Sequence, residues 1–143
     1  MTERTEIDHP LPYASWESRG YWEGAGRGEL VLQRNRRTGA YQHKPRGAAV
    51  DTLDPDDLEY VVASGRGTVY TFTVTNQNQA PGFATACPYV MAYVDLEEGP
   101  RVLTNIVGCD PDDVSIGMAV VADFVSGTRD DGESFAVPVF RPA

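Results

Sequence analysis

Residues Ser64 to Val107, SGRGTVYTFTVTNQNQAPGFATACPYVMAYVDLEEGPRVLTNIV, hold three strand-like runs in succession. From Thr68 to Thr75 every residue is β-branched or aromatic, which suits a pleated surface. Within Gly67–Thr75, Val69, Phe72 and Val74 approximate the alternation of a half-buried strand, with threonines between them. Pro88–Leu96 is denser in apolar side chains and reads as a strand covered on both faces. Glu97-Glu98-Gly99-Pro100 then reverses the chain into Arg101–Val107, because a Gly-Pro pair punctuates the backbone. Three strands joined by turns make a meander, and one this apolar has to close on further strands.

The chain beyond it supplies them. Asp110 suits an N-cap, Pro111 the first helical position, and Asp112 and Asp113 the first turn, so one helical turn through Val114 is predicted. Ala119–Val125 reads as a fourth strand, Gly127–Glu133 as a charged hairpin loop, and Ser134–Arg141 as a fifth strand. Pro138 marks the last as an edge or bulged strand. Five strands with a helical link between the third and fourth describe an OB-type barrel.

Upstream, Tyr13–Arg27 predicts a broken helix, with Ser15 as a cap and a restart at Ser18 or Gly20. Gly20, Gly24 and Gly26 each weaken it by up to about 1 kcal/mol relative to alanine, so packing has to hold it. Tyr13, Trp16, Tyr21 and Trp22 are the side chains available. Trp and Tyr anchor interfaces, so these four are candidates for docking a second macromolecule; covering one end of the barrel is the alternative. Gly28–Arg34 and Ala40–His43 flank an Asn35–Gly39 turn as a short hairpin. Gly47–Asp57 reads as loop, with a helical turn starting at Pro55, and Leu58–Ala63 leads into the barrel. Asn76–Ala86 is a long polar loop around Phe83. The expected fold is mainly β: an N-terminal tail and helix over 1–27, a hairpin over 28–57, and a five-stranded OB-fold barrel over 58–143.

The net charge of −9 argues against general nucleic-acid binding, and its distribution sharpens the point. Residues 1–50 carry eight Lys/Arg against six Asp/Glu, while residues 51–143 carry four against fifteen. Arg66 and Arg101 are the only cations between Asp51 and Gly127, whereas a single-strand-binding barrel needs a positive groove. Gln33–Arg46 is the exception: Arg34, Arg36, Arg37, Lys44 and Arg46 with no acid among them. Such an island can hold a polyanionic ligand or an acidic partner face, or it can pair with the protein's own acids. No run reaches transmembrane length, and MTERTEIDHPLP lacks a signal-peptide core, so a cytoplasmic setting is expected, without a membrane partner.

No self-contained active site is visible. Cys87 and Cys109 form no C-x-x-C motif and read as buried thiols. No local motif makes Cys87 and His43 a nucleophile and base, and His9 stands in the N-terminal tail. Asp110, Asp112 and Asp113 are explained by capping, Glu97 and Glu98 by a turn. Gly65-x-Gly67 has no helix after it to make a phosphate loop.

Taken together, YWEGAGRGELVLQRN, the basic island, SGRGTVYTFTV, PYVMAYVDLEEGPRVLTNIVGCDPDDVSIGMAV and the terminal PVFRPA resemble the DUF35 family, over nearly the whole chain from Tyr13. That resemblance implies an OB fold with a rubredoxin-like zinc ribbon, associated with acyl-CoA and thiolase enzymes. It also implies a non-catalytic subunit of a hetero-oligomer whose thiolase-like or aldolase partner performs thiolase, acyltransferase or retro-aldol chemistry. Arg34, Arg36, Arg37, Lys44, Arg46 and Arg66 then become candidates for the phosphates of a CoA thioester. A free-standing module that binds CoA esters or another nucleotide is the alternative. The family's two C-x-x-C knuckles fall here on Asn35 and Thr38 and, nearby, on Ala49 and Thr52. None is a thiolate, and a structural zinc site needs four Cys or His ligands. No zinc and no other bound cofactor are therefore expected; Asn35 and Thr38 can hold the same turn through side-chain hydrogen bonds.

Overall fold

Two sheets follow from two kinds of sequence. The computed structural model describes residues 10–143. Helix α1 spans Arg19–Gly26, after a turn in which the Ser15 and Ser18 side chains bond to each other (2.9 Å) and the Ser18 hydroxyl donates back to the Ser15 carbonyl. Strands β1 (Val31–Asn35), β2 (Tyr41–Gln42) and β3 (Leu58–Val62) form a small antiparallel ribbon in the order β2-β1-β3. Strands β4 (Arg66–Thr75), β5 (Tyr89–Leu96), β6 (Arg101–Ile106), β7 (Ala119–Thr128) and β8 (Ser134–Pro142) close a barrel in the order β4-β5-β6-β8-β7. This is the five-stranded OB arrangement that the meander and its two following strands predict. The link between β6 and β7 is a single 3-10 turn, Pro111–Asp113, whose N-cap Asp110 accepts from the Asp112 amide at 3.0 Å.

Three expectations are corrected. Leu58–Val62 does not run on into the barrel: it pairs along its whole length with β1, from Val31↔Val62 to Asn35↔Leu58. Strand β5 is covered on one face only. Val90, Ala92, Val94 and Leu96 point into the core, while Tyr93 on the other face is 44% exposed, because α1 packs against β8 and β1 rather than over β5. The third concerns β4, where Val69 and Phe72 are three residues apart and yet both face the core. A register shift between Val69 and Thr71 inserts Tyr70 as an extra residue. That bulge returns the strand to phase.

Strand β8 meets β6 through one pair, Ile106↔Phe140, and is otherwise laddered to β7. Pro138 stands opposite Phe124, upstream of that pair, where β8 has a neighbour on one side; this is the edge character expected of a proline-bearing strand. Leu30 and Leu32 join Val69, Val94, Val120 and Phe140 in one apolar cluster, so the ribbon's first strand shares the barrel core. The glycines of α1 have a packing role. A Cβ on Gly20 would lie 2.7 Å from the Tyr60 ring, and one on Gly24 would collide with Val31. The helix lies directly on β1 and β3 because these two positions have no side chain.

Candidate functional site

The Asn35–Thr38 turn is built around one amide. Asn35 is fully buried; its Oδ1 accepts from the backbone N–H of Arg37 (2.8 Å) and Thr38 (3.2 Å). Its Nδ2 donates outward to Asp51 Oδ1 (2.7 Å) and Thr52 Oγ1 (3.1 Å). The Thr38 hydroxyl donates to the other Asp51 oxygen at 2.6 Å. Thr52 in turn donates to the buried Asp57 carboxylate (2.6 Å), which also faces Arg37 at 3.5 Å. The hydroxyl of Thr38, and next the amide of Asn35, hold the Asp51 carboxyl below the usual carboxylate range, since both bond to its charged form.

A second amide pair lies beside this centre. Gln33 Nε2 donates to the Arg46 carbonyl (2.7 Å), while its Oε1 accepts from the Arg46 amide (2.8 Å) and from Gln42 Nε2 (2.8 Å). Gln42 then bonds the Ala48 carbonyl and the Val50 amide. Both glutamines are buried, and together they pin residues 46–50. Gln33, Gln42, Asp51 and Asp57 escape a sequence reading: their side-chain partners lie from five to twenty-seven residues away, and no local motif joins them.

Zinc in a ribbon is held by thiolates and imidazoles. Here Asn35, Thr38 and Thr52 offer an amide and two hydroxyls that are already hydrogen-bonded, and Ala49, with no exposure at all, offers a methyl. His43 is turned against the Tyr21 ring (centroids 5.4 Å apart), and burial, followed by Lys44, lowers its pKa. These residues do not fit zinc.

The basic candidates divide into two groups. Arg34 faces Glu59 (3.9 Å) and lies over Tyr41, Arg36 donates to the Leu58 carbonyl (2.7 Å), and Arg37 faces Asp57. These three are tied to β3 or its approach. Arg46 is exposed on the segment that the glutamines pin, Lys44 is exposed two residues before it, and Arg66 is exposed on β4.

The aromatic candidates divide as well. Tyr21 packs edge-on to Trp22 (4.8 Å), and Trp22 packs on Phe135 of β8 (5.0 Å), fastening α1 to the barrel. Burial raises the Tyr21 hydroxyl to about 12. Tyr13 and Trp16 are 90% and 72% exposed. The Trp16 ring edge lies over Gly47, next to Arg46, and the Arg129 guanidinium reaches from the β7–β8 loop to the Pro12 carbonyl and lies over the Phe135 ring. A further exposed row crosses the outer barrel wall: Tyr70, Tyr93 and Leu103, with Tyr93 paired to Leu103 and the Arg101 guanidinium 3.3 Å above the Tyr70 ring.

Cys87 donates to the Phe83 carbonyl, Phe83 packs towards Tyr89, and both cysteines are free and half-buried. Burial raises the Cys109 thiol's pKa. Cys87 and His43 therefore have separate neighbours, and His9 lies outside the described residues. Among the described residues no three His, Cys, Asp or Glu side chains cluster as a metal site, and no helix is long and apolar enough to cross a membrane.

Comparison with known proteins supplies the context. Residues 60–125 match a family model described as the C-terminal OB-fold domain of ChsH2. The chain is 36% identical over 146 residues to a Thermomonospora curvata protein named "Probable enoyl-CoA hydratase alpha subunit", covering 99% of this chain and 44% of that one. It is 40% identical over 115 residues to the 3-oxo-4,17-pregnadiene-20-carboxyl-CoA hydratase alpha subunit of Mycobacterium tuberculosis, covering 80% and 35% respectively. The chain thus spans less than half the length of these curated relatives. Among solved structures, a chain of the Ltp2-ChsH2(DUF35) aldolase superposes with a TM-score of 0.79 at 35% identity, covering 92% of this chain and 98% of that one.

Proposed function

Since the chain belongs to the DUF35 family of OB-fold proteins, we propose that it is a non-catalytic accessory subunit that pairs with a thiolase-like enzyme and completes that enzyme's acyl-CoA channel. The observation that carries this is the match, over nearly the full length of both chains, to the DUF35 chain of an aldolase assembly. Two relatives named as alpha subunits of CoA-ester hydratases point to the same substrate class. The partner would supply the residues that make or break the carbon–carbon bond.

In this reading Tyr13 and Trp16 are the docking anchors, because they present apolar area that the fold leaves uncovered, and interface energy concentrates in such residues. Tyr21 and Trp22 act one step behind, by fixing the helix that carries the surface. Lys44 and Arg46 are the exposed cations of the loop and the candidates for CoA phosphates; the backbone of Arg46 is already held by Gln33, so little entropy is lost there on binding. Arg34, Arg36 and Arg37 serve mainly to hold the ribbon. The ribbon works without zinc, and the setting is cytoplasmic.

The test is co-expression with a candidate thiolase-like partner protein. Co-elution as one hetero-oligomer, with acyl-CoA turnover by the mixture and none by this chain alone, is expected. Turnover by the isolated chain, or separate elution of the two proteins, would remove the proposal.

A further inference from the structure

The two turns of a metal ribbon need a cross-link, because each is too short to hold the other by packing. Here both turns are present, and side-chain hydrogen bonds from Asn35 and Thr38 to Asp51 tie them. We propose that Asp51 is the keystone of a metal-free centre that joins the 35–38 turn to the 49–52 turn, in place of the four ligands of a zinc ribbon.

The geometry is specific to a carboxylate. Each Asp51 oxygen meets a donor from the opposite turn: Oδ1 the Asn35 amide at 2.7 Å, Oδ2 the Thr38 hydroxyl at 2.6 Å. Asp51 itself is exposed, but Asn35 is not, and a buried amide N–H left without an acceptor is costly. Bonds to an ionised acceptor are about twice as strong as neutral ones. The centre extends through Thr52 to Asp57, just before β3, and Asp57 faces Arg37 back on the first turn, so both turns and the approach to the third strand are bound into one unit. Arg37 and Asp57 are the charged groups facing it. Ala49, near which the family resemblance places a further ligand, is a buried methyl that no metal could use. The consequence is a ribbon, and a basic loop carried on it, whose shape depends on neither metal supply nor thiol redox state.

The test uses the full chain in four forms: wild type, D51A, D51N and T38V. Metal analysis, thermal melting with and without chelator, and native-state amide exchange are measured on each. Expected are substoichiometric zinc and one melting temperature whether or not chelator is present. D51A should melt roughly 5 °C lower and exchange roughly tenfold faster at residues 36–39 and 49–52, with β5 unchanged. D51N, which keeps one acceptor, and T38V, which removes one donor while preserving shape, should shift the same amides by less. Should D51A fail to fold, T38V decides by the same exchange criterion. One zinc per chain with chelator-dependent melting would overturn the proposal, as would wild-type exchange at those amides in both D51A and T38V.

Discussion

The ribbon is wholly antiparallel and the barrel is antiparallel but for the parallel contact of β6 with β8, yet opposite physics holds the two. The barrel's interior is aliphatic and aromatic: Val69, Val94, Val120 and Phe140 fill it. The ribbon's interior next to the turns is a chain of amides and a carboxylate: Gln33, Gln42, Asn35 and Asp57. Burial of apolar area is non-directional, so the barrel asks for volume and pattern. A buried amide stabilises only if each of its atoms meets a partner in line, so the ribbon asks for particular residues at particular positions. The two regions should therefore respond in opposite ways to the same kind of substitution.

The largest effect belongs to the barrel. Phe140→Ala should cost about 4 kcal/mol by urea unfolding, from lost transfer energy and the cavity left behind; a loss below about 1 kcal/mol would mean that β8 is not part of the core. Next comes a matched pair in β1. Leu32→Met, a volume-conserving change facing the barrel, should cost less than about 1.5 kcal/mol. Gln33→Met, equally conservative in shape, orphans the Arg46 amide and carbonyl and should cost about 1–3 kcal/mol. Equal costs for the pair would erase the distinction drawn between the two regions.

A smaller effect concerns acid. The Asp51 carboxyl titrates below its unfolded value, so its stabilisation is complete above the ordinary carboxylate range near pH 4 and is lost as pH falls through the lower, folded value. The urea midpoint of wild type should fall across that acid window, and D51N should flatten that part of the curve. An identical acid limb in both would show that Asp51 is unbonded in solution. The smallest effect lies on the barrel's outer wall. Arg101 bonds Asp95 at 2.6 Å and covers Tyr70, but in an exposed position where solvent screens the pair, so Arg101→Ala should leave the urea midpoint almost unchanged.

Much of the barrel was legible because its determinants are local and repetitive. Runs of β-branched and aromatic residues, the Gly-Pro reversal after Leu96 and the Asp-Pro-Asp-Asp turn after Cys109 each carry their conformation within a few residues. The Asn35–Thr38 turn was legible for the same reason, since Asn35 caps amides two and three residues on. What failed to show was everything that depends on distant partners. The alternation of β4 hid a bulge at Tyr70, and nothing in Leu58–Val62 says that it pairs with β1 rather than continuing into β4. Tyr13, Trp16, Tyr21 and Trp22 look equivalent along the chain, yet two are packed against Phe135 and His43 and two face solvent.

By itself, then, the sequence determined the strands, the turns that join them and the lack of a thiolate at any of the four knuckle positions, because side-chain shape, backbone preference and the chemistry of a ligand belong to single residues and their neighbours. Only the tertiary structure decided that Asp51, Gln33 and Gln42 take up the ribbon's interior, and which aromatics and cations stay uncovered. Hydrogen-bond satisfaction and exposure are properties of pairs brought together from far along the chain, and a residue carries no mark of the partner it will meet.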